Sequence, residues 1–234
     1  MRQSDPGALM DNEQIRLLVV EDSPSLGEAL MFAFGFEDGI EPVGVARSIR
    51  QALEMAAVDR PDVVLMDVRL PDGNGIEAAS RVVELRPGTA VIVMTAHADN
   101  LIALDAADGG AAGFVLKDVR IAKIVASVRR VVTEALAVDP AVLDAILAQA
   151  GGTGASAAVE LEQPASELLR LLAEGLDRQT IAARLGIEES NVTRLAAAVR
   201  DQLGARSNLE AVVKAARARL LGPDQGSRAR ISNR

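Results

Sequence analysis

The sequence predicts an α/β domain with a parallel sheet covered by helices on both faces, followed by a smaller all-helical domain. Two observations carry this reading. Short apolar runs alternate with segments of helical period five times across residues 15–137, the pattern of a parallel sheet built from strand–helix repeats. The flexible run Gly151-Gly152-Thr153-Gly154-Ala155-Ser156 then separates that half from one whose apolar residues recur only at helical spacing.

Residues 1–14 are polar, contain Pro and Gly, and read as a flexible N-terminal arm. Ile15–Val20 is an apolar strand ending in Glu21-Asp22, and Pro24 suits the first turn of the helix that follows. Pro42–Ala46 is a second strand, and Ser48 caps a helix carrying Ile49, Leu53 and Met55. Asp62–Asp67 is a third strand, apolar throughout its middle and thus buried on both faces. It runs out at Asp67 into a turn rich in Pro, Gly and Asn, so that carboxylate is either a cap or a reactive group at the sheet edge. A helix starts at Gly75 and stops before Pro87-Gly88. Ala90–Met94 leads into Thr95, a helix spans Asn100–Ala107, Gly113–Leu116 leads into Lys117, and a last helix runs from Val119 to Ala135.

In such sheets ligands bind beyond the carboxyl ends of the strands. Here those ends carry Glu21-Asp22, Asp67, Thr95 and Lys117. Clustered carboxylates repel unless a cation neutralises them, and hard oxygen ligands select Mg²⁺ or Mn²⁺. With such a cation beside it, Asp67 could be the nucleophile of a phosphoryl transfer, Lys117 a point cation for phosphoryl charge, and Thr95 a hydrogen-bond donor.

Composition bounds the rest. The chain has 234 residues, 49% of them hydrophobic and none of them Cys, which excludes disulfides and thiolate metal sites and fits a reducing compartment. No early apolar segment has the form of a leader and no apolar run is long enough for a bilayer, so the expectation is a soluble, cytoplasmic protein without a membrane partner. Net charge is −8, unevenly spread: residues 1–160 hold 13 Lys+Arg and 24 Asp+Glu (a balance of −11), residues 161–234 hold 12 and 9 (+3). An acidic module is joined to a mildly basic one, and the first could mask the second by charge complementarity.

Glu21-Asp22, Asp67 with Leu70-Pro71-Asp72-Gly73, Thr95-Ala96, and Phe114 with Lys117 occur in the order and at the spacing of a two-component receiver domain, which residues 15–137 resemble. The resemblance implies a flavodoxin-like (βα)5 fold and Asp67 as phosphoacceptor. It implies a Mg²⁺ site made by Glu21, Asp22, Asp67 and the backbone carbonyl of Arg69. Thr95 and Phe114 match the family's switch pair, although Phe114 reads equally as plain core. Arg69 and His97 flank the path of the hydrolytic water in receivers and are candidates for setting the phosphoryl lifetime, with a solvated loop His the alternative.

Residues 138–160 read as a linker with a short helix at Ala141–Ala150, and residues 223–234 as a flexible tail. Within 161–222, helices are expected from Ser166, from Arg178 to Leu185, from Glu189 to Leu203 and from Asn208 to Leu221. Two short helices with a Gly-containing turn suggest a helix-turn-helix whose next helix enters the major groove. Leu168–Leu176, Ile181–Ile187, Val192 and Leu203-Gly204 are similar to the LuxR-type helix-turn-helix, and with the receiver the chain resembles the NarL/FixJ response regulators. That resemblance implies a sensor histidine kinase partner, promoter DNA and a homodimer formed on phosphorylation.

Departures from the family pattern fall on polar positions. Thr193 and Gln202 stand where Lys is usual and Leu195 where His is common, while Glu188 and Glu189 bring negative charge to the helix N-terminus. Arg178, Arg184, Arg194 and Arg206 remain for phosphate contacts, Asn191 or Arg194 could read bases, and Thr193 is a further candidate DNA contact, with a solvated face the alternative reading. Two readings follow: a transcription regulator phosphorylated on Asp67, or a phosphorylation-dependent protein-interaction switch whose helix-turn-helix no longer binds DNA. A phosphatase with an Asp nucleophile is disfavoured, because its acid/base Asp would stand where Arg69 is. The expected chemistry is self-phosphorylation from a donor and slow autodephosphorylation, not enzymatic turnover.

Overall fold

The computed structural model describes residues 14–96, 99–133, 135–151 and 161–221. Residues 1–13 of the expected arm, 152–156 of the Gly-rich segment, His97 and the expected tail lie outside those residues.

Five parallel strands form the sheet, in the order β2(Ile40–Ala46), β1(Ile15–Val20), β3(Val63–Asp67), β6(Ala90–Thr95) and β7(Gly113–Leu116). The two-residue strands β4(Arg69–Leu70) and β5(Gly73–Asn74) form a small antiparallel hairpin just after β3. The helices are α1(Pro24–Phe34), α2(Ile49–Asp59), α3(Gly75–Leu85), α4(Asn100–Asp108) and α5(Ile121–Val132), then α6(Pro140–Gly151), α7(Ala165–Ala173), α8(Arg178–Leu185), α9(Glu189–Leu203) and α10(Asn208–Arg217). The fold is the expected flavodoxin-like (βα)5 receiver followed by a helical C-terminal region.

Alternation along the strands splits the core. Leu17, Val19, Leu65, Ile92, Met94 and Val115 face the side of the sheet packed by Leu30 and Phe34 of α1 and Ile124 and Val128 of α5. Leu18, Val20, Val64, Met66, Val91, Val93 and Phe114 face the other side, under α2, α3 and α4. This second core does not stop at the receiver. It runs through Ala103, Ala106 and Ala107 of α4 and Leu143 and Ile146 of α6 into Leu168, Leu172, Val192, Leu209 and Val212. Those three alanines have no exposed surface, and their small side chains let α6 and α10 approach α4 closely.

Several boundaries differ from expectation for identifiable reasons. The last receiver helix is Ile121–Val132 rather than Val119–Ala135. The chain beyond it is used differently: Ala137 bridges Gly113 in parallel register, and the Phe114 N–H donates to the Ala137 carbonyl at 2.9 Å. Edge strand β7 is thereby covered by the chain's own connector, which removes an open sheet edge. Gly113 makes this approach possible, since a Cβ there would stand 2.7 Å from the Ala137 Cβ. Strand β2 begins at Ile40, two residues before Pro42, because Ile15 and Arg16 extend far enough to pair Ile40 and Glu41. Helix α10 ends at Arg217 instead of Leu221.

Candidate functional site

Parallel register brings the strand ends to one edge. Asp67 is paired with Met94 and Thr95 with Leu116, so Asp67, Thr95 and Lys117 emerge together beside Glu21 and Asp22. Backbone bonds fix the rim: the Val68 N–H donates to Met94 O at 3.0 Å and the Lys117 N–H to Thr95 O at 2.7 Å.

Glu21, Asp22 and Asp67 each present an oxygen within 4.8 Å of the others, a set that could hold a metal ion. Glu21 and Asp67 are buried and Asp22 is exposed, so the cluster opens to solvent on one side. Lys117 Nζ lies 2.6 Å from Glu21 Oε2 and 2.8 Å from Asp67 Oδ2, an ammonium held between the two buried carboxylates. The Ser23 N–H donates to Glu21 Oε1 and the Arg69 N–H to Asp67 Oδ1, both at 3.2 Å. Burial pushes the Glu21 carboxyl above its ordinary range, the hydrogen bond and charge of Lys117 pull it back, and the neighbouring Asp67 raises it.

Two residues of the loop after Asp67 have roles that the sequence reading did not assign. A Cβ on Gly75 would lie 1.8 Å from the Asp67 carbonyl oxygen. The start of α3 therefore presses against the backbone of the strand end, and the Gly75 N–H donates to Val68 O at 2.8 Å. Asp72 points away from the acid cluster. Its carboxylate accepts from the Ile49 and Arg50 N–H groups at 2.8 and 3.1 Å, closing the N-terminus of α2 and tying it to the loop. The signal for both was the Asp72-Gly73-Asn74-Gly75 run, which marks a turn without saying what it touches.

Thr95 and Phe114 are both buried. Phe114 pairs with Val93, two positions before Thr95 on the same strand, so the two side chains lie on the same face of the sheet. Phe114 packs in the core that continues into the C-terminal helices. Arg69 is exposed.

In the helical half, α8 and α9 follow each other across Gly186, which takes a positive φ of 65° and ends α8. Val192, Ala196 and Val199 face inward, and Leu195 packs against that core. The residues expected to face DNA are engaged in local pairs. Arg178 Nε is 3.0 Å from Glu189 Oε2, Arg184 Nη1 is 3.1 Å from Glu174 Oε2, and Arg194 donates to Asn191. Thr193 is half-buried. Arg206 reaches the receiver, where its Nη2 donates to the Asp108 carbonyl at 2.6 Å, while its Nε donates to Glu210 Oε2 of α10 at 3.3 Å.

Residues 17–129 match the family model of the response regulator receiver domain. Over 206 residues the chain is 30% identical to the DNA-binding transcriptional activator DevR/DosR of Mycobacterium tuberculosis, covering 85% of this chain and 93% of that one. The chain belongs to the NarL/FixJ family of response regulators. A second relative from Mycobacterium tuberculosis, the probable transcriptional regulatory protein NarL, is 31% identical over 209 residues, 89% of this response regulator and 97% of that protein. Among solved structures, a LuxR-family two-component response regulator from Aurantimonas sp. SI85-9A1 superposes with a TM-score of 0.54 at 25% identity, covering 58% of this chain and 97% of that one. The similarity to both relatives extends well past the receiver, so the helical half belongs to the same architecture. No helix among the described residues is long and apolar enough to cross a membrane.

Proposed function

We propose that this response regulator controls transcription by binding promoter DNA through α8 and α9, under control of phosphorylation at Asp67. The buried Asp67 carboxylate, held beside Lys117 and within reach of Glu21 and Asp22, is the observation that carries the reading. The relatives are transcriptional regulators along nearly their whole length, which favours DNA binding over a protein-interaction switch.

The side-chain donors are all carboxylates, which suits a hard divalent cation, and Mg²⁺ fits them better than a softer metal. Glu21, Asp22, Asp67 and the Arg69 carbonyl are the residues that would hold it, and when bound it offsets the negative charge of the site and of an incoming phosphoryl group. In the transfer, an Asp67 oxygen forms the new O–P bond as the P–N bond to the histidine of a sensor kinase breaks and the imidazole leaves. Lys117 neutralises the phosphoryl charge, and Thr95 donates its hydroxyl hydrogen to a phosphoryl oxygen. Thr95 and Phe114, the expected switch pair, carry the change to the face made by α4, β7 and α5. Water later hydrolyses the acyl phosphate slowly, which makes the chain a timed switch rather than a turnover enzyme; Arg69 and His97 are the candidates for setting that lifetime.

In the C-terminal half, Asn191, Thr193 and Arg194 are the residues expected to reach the groove. Arg178 and Arg184 would exchange Glu189 and Glu174 for backbone phosphates. That exchange lowers the affinity gained, because each phosphate contact forfeits an intramolecular pair.

The test is phosphorylation by a small-molecule donor such as acetyl phosphate with Mg²⁺, read by intact-protein mass. The expected result is one phosphoryl group on the wild-type chain and none on Asp67→Asn. A phosphoryl group retained on Asp67→Asn overturns the assignment.

A further inference from the structure

The loop after Asp67 is held from outside the acid cluster. Strands β4 and β5 are two residues long and pair only Arg69 with Asn74 and Leu70 with Gly73, and so short a hairpin does not keep its shape in water unaided. On the Mg²⁺ reading of the acid cluster, we infer that Asp72, in the turn of this hairpin, is a positioning residue for the metal site. By tying the hairpin to the N-terminus of α2 it fixes Arg69, and it thereby couples the acid edge of the sheet to α2.

The hairpin is anchored on both sides. Leu70 is buried in the core under α2, α3 and α4. Asn74 Oδ1 accepts the Ile76 N–H at 2.8 Å and caps α3. Gly73 lies against α2, where a Cβ on it would stand 3.0 Å from Ile49 Cδ1. Asp72 adds the polar anchor, its carboxylate accepting the Ile49 and Arg50 N–H groups at 2.8 and 3.1 Å. The Ile49 hydrogen bond holds the Asp72 carboxyl below its usual range, so the acceptor is an anion at neutral pH, and charge-assisted hydrogen bonds are the stronger kind.

Capping alone does not account for this contact. Helix α2 has an N-cap of its own in Ser48, whose side chain accepts the Gln51 N–H at 3.3 Å. Asp72 reaches Ile49 from 23 residues further along the chain and takes the first two N–H groups of the helix, which Ser48 leaves. The bonds therefore restrain the hairpin as well as the helix. At the other end of β4, the Arg69 N–H donates to Asp67 Oδ1 at 3.2 Å, and the Arg69 carbonyl is among the groups that would hold the cation. A hairpin that drifts from α2 disturbs both at once. Asp72 itself stands outside the acid cluster, which among the described residues is Glu21, Asp22 and Asp67. Partners of this kind tune a metal site without touching the ion. The coupling is reciprocal, so whatever steadies the hairpin at the acid edge also steadies the α2 amides.

The test is calorimetric titration of the full chain with Mg²⁺ at fixed ionic strength, without a phosphoryl donor, in the wild type, Asp72→Ala, Ser48→Ala and Asp22→Ala. Asp72 is exposed, so its truncation leaves the core intact. Asp72→Ala is expected to raise the Mg²⁺ dissociation constant about tenfold. Ser48→Ala removes a cap of the same helix without touching the hairpin, and is expected to lower the melting temperature while leaving that constant unchanged. In the wild-type chain, Mg²⁺ is expected to slow hydrogen exchange at the Ile49 and Arg50 amides. An unchanged constant in Asp72→Ala overturns the positioning role, as does exchange at those amides that Mg²⁺ leaves unaltered. An equal rise in Ser48→Ala overturns it too, because the effect is then one of α2 stability. If the wild type binds Mg²⁺, Asp22→Ala abolishes binding and Asp72→Ala changes nothing, the Mg²⁺ reading stands and only the role of Asp72 falls. A wild-type chain that binds no Mg²⁺ overturns both.

Discussion

At the scale of single residues, the two buried carboxylates of the acid cluster are held in place by protein partners. Lys117 spans Glu21 and Asp67, and backbone N–H groups of Ser23 and Arg69 take the remaining oxygens. Gly75 sets how close α3 comes to the strand that ends in Asp67. A methyl at 1.8 Å from the Asp67 carbonyl oxygen cannot be absorbed by a side-chain rotation. Gly75→Ala is therefore expected to destabilise the receiver by about 3 kcal/mol, by forcing backbone apart; the midpoint of urea unfolding measures it, and an unchanged midpoint contradicts it. The site residues themselves were legible in the sequence because each chemistry-bearing type follows an apolar strand, and a parallel sheet gathers such positions at one edge. Asp72 and Gly75 were not, because capping α2 and abutting Asp67 depend on elements far apart in sequence or on atomic closeness within a turn.

At the scale of elements, strands buried on both faces and helix caps were the best-written features. Strand β1 and helices α8 and α9 have the ends their caps and flanking residues indicate. The end of α5 was misread because the apolar pattern continues past Val132 in Val138, Val142 and Leu143, while the chain leaves the helix to cover β7. Sequence period records burial and not which element does the burying. The α8 cap offers a quantitative check. The Asp177 carboxylate accepts the Thr180 N–H at 2.7 Å, and that hydrogen bond holds its carboxyl below the usual range. Asp177→Ala is expected to cost about 1 kcal/mol at neutral pH. The sign with pH follows from the lowered folded value. The charged cap contributes fully above the unfolded carboxylate range and its contribution is lost as pH falls through the folded value. Thermal melts at neutral and strongly acidic pH should show the wild-type advantage shrinking with acid, and a difference that grows there contradicts the cap.

At the scale of the whole molecule, a sheet edge that gathers acids and a helical half that carries α8 and α9 are joined through one continuous core. The charge asymmetry was visible in the sequence and suggested that one half could mask the other, but the residues that meet across the two halves were not legible. Arg206 reads as a solvated cation fit for DNA phosphate, and only the packing of α10 on α4 turns it toward Asp108. Arg178, Arg184 and Arg194 are likewise held in local pairs, which the proposed DNA contacts would have to break. The central claim is that phosphorylation of Asp67 governs DNA binding. Its most direct test is selection of genomic fragments by the full-length chain with and without beryllofluoride, which stands in for the phosphoryl group on Asp67, in parallel with Asp67→Asn. The account predicts site-selective, salt-sensitive recovery that beryllofluoride raises in the wild-type chain and leaves unchanged in Asp67→Asn. Recovery of the same fragments to the same extent in all four conditions, or of no fragment in any, contradicts it.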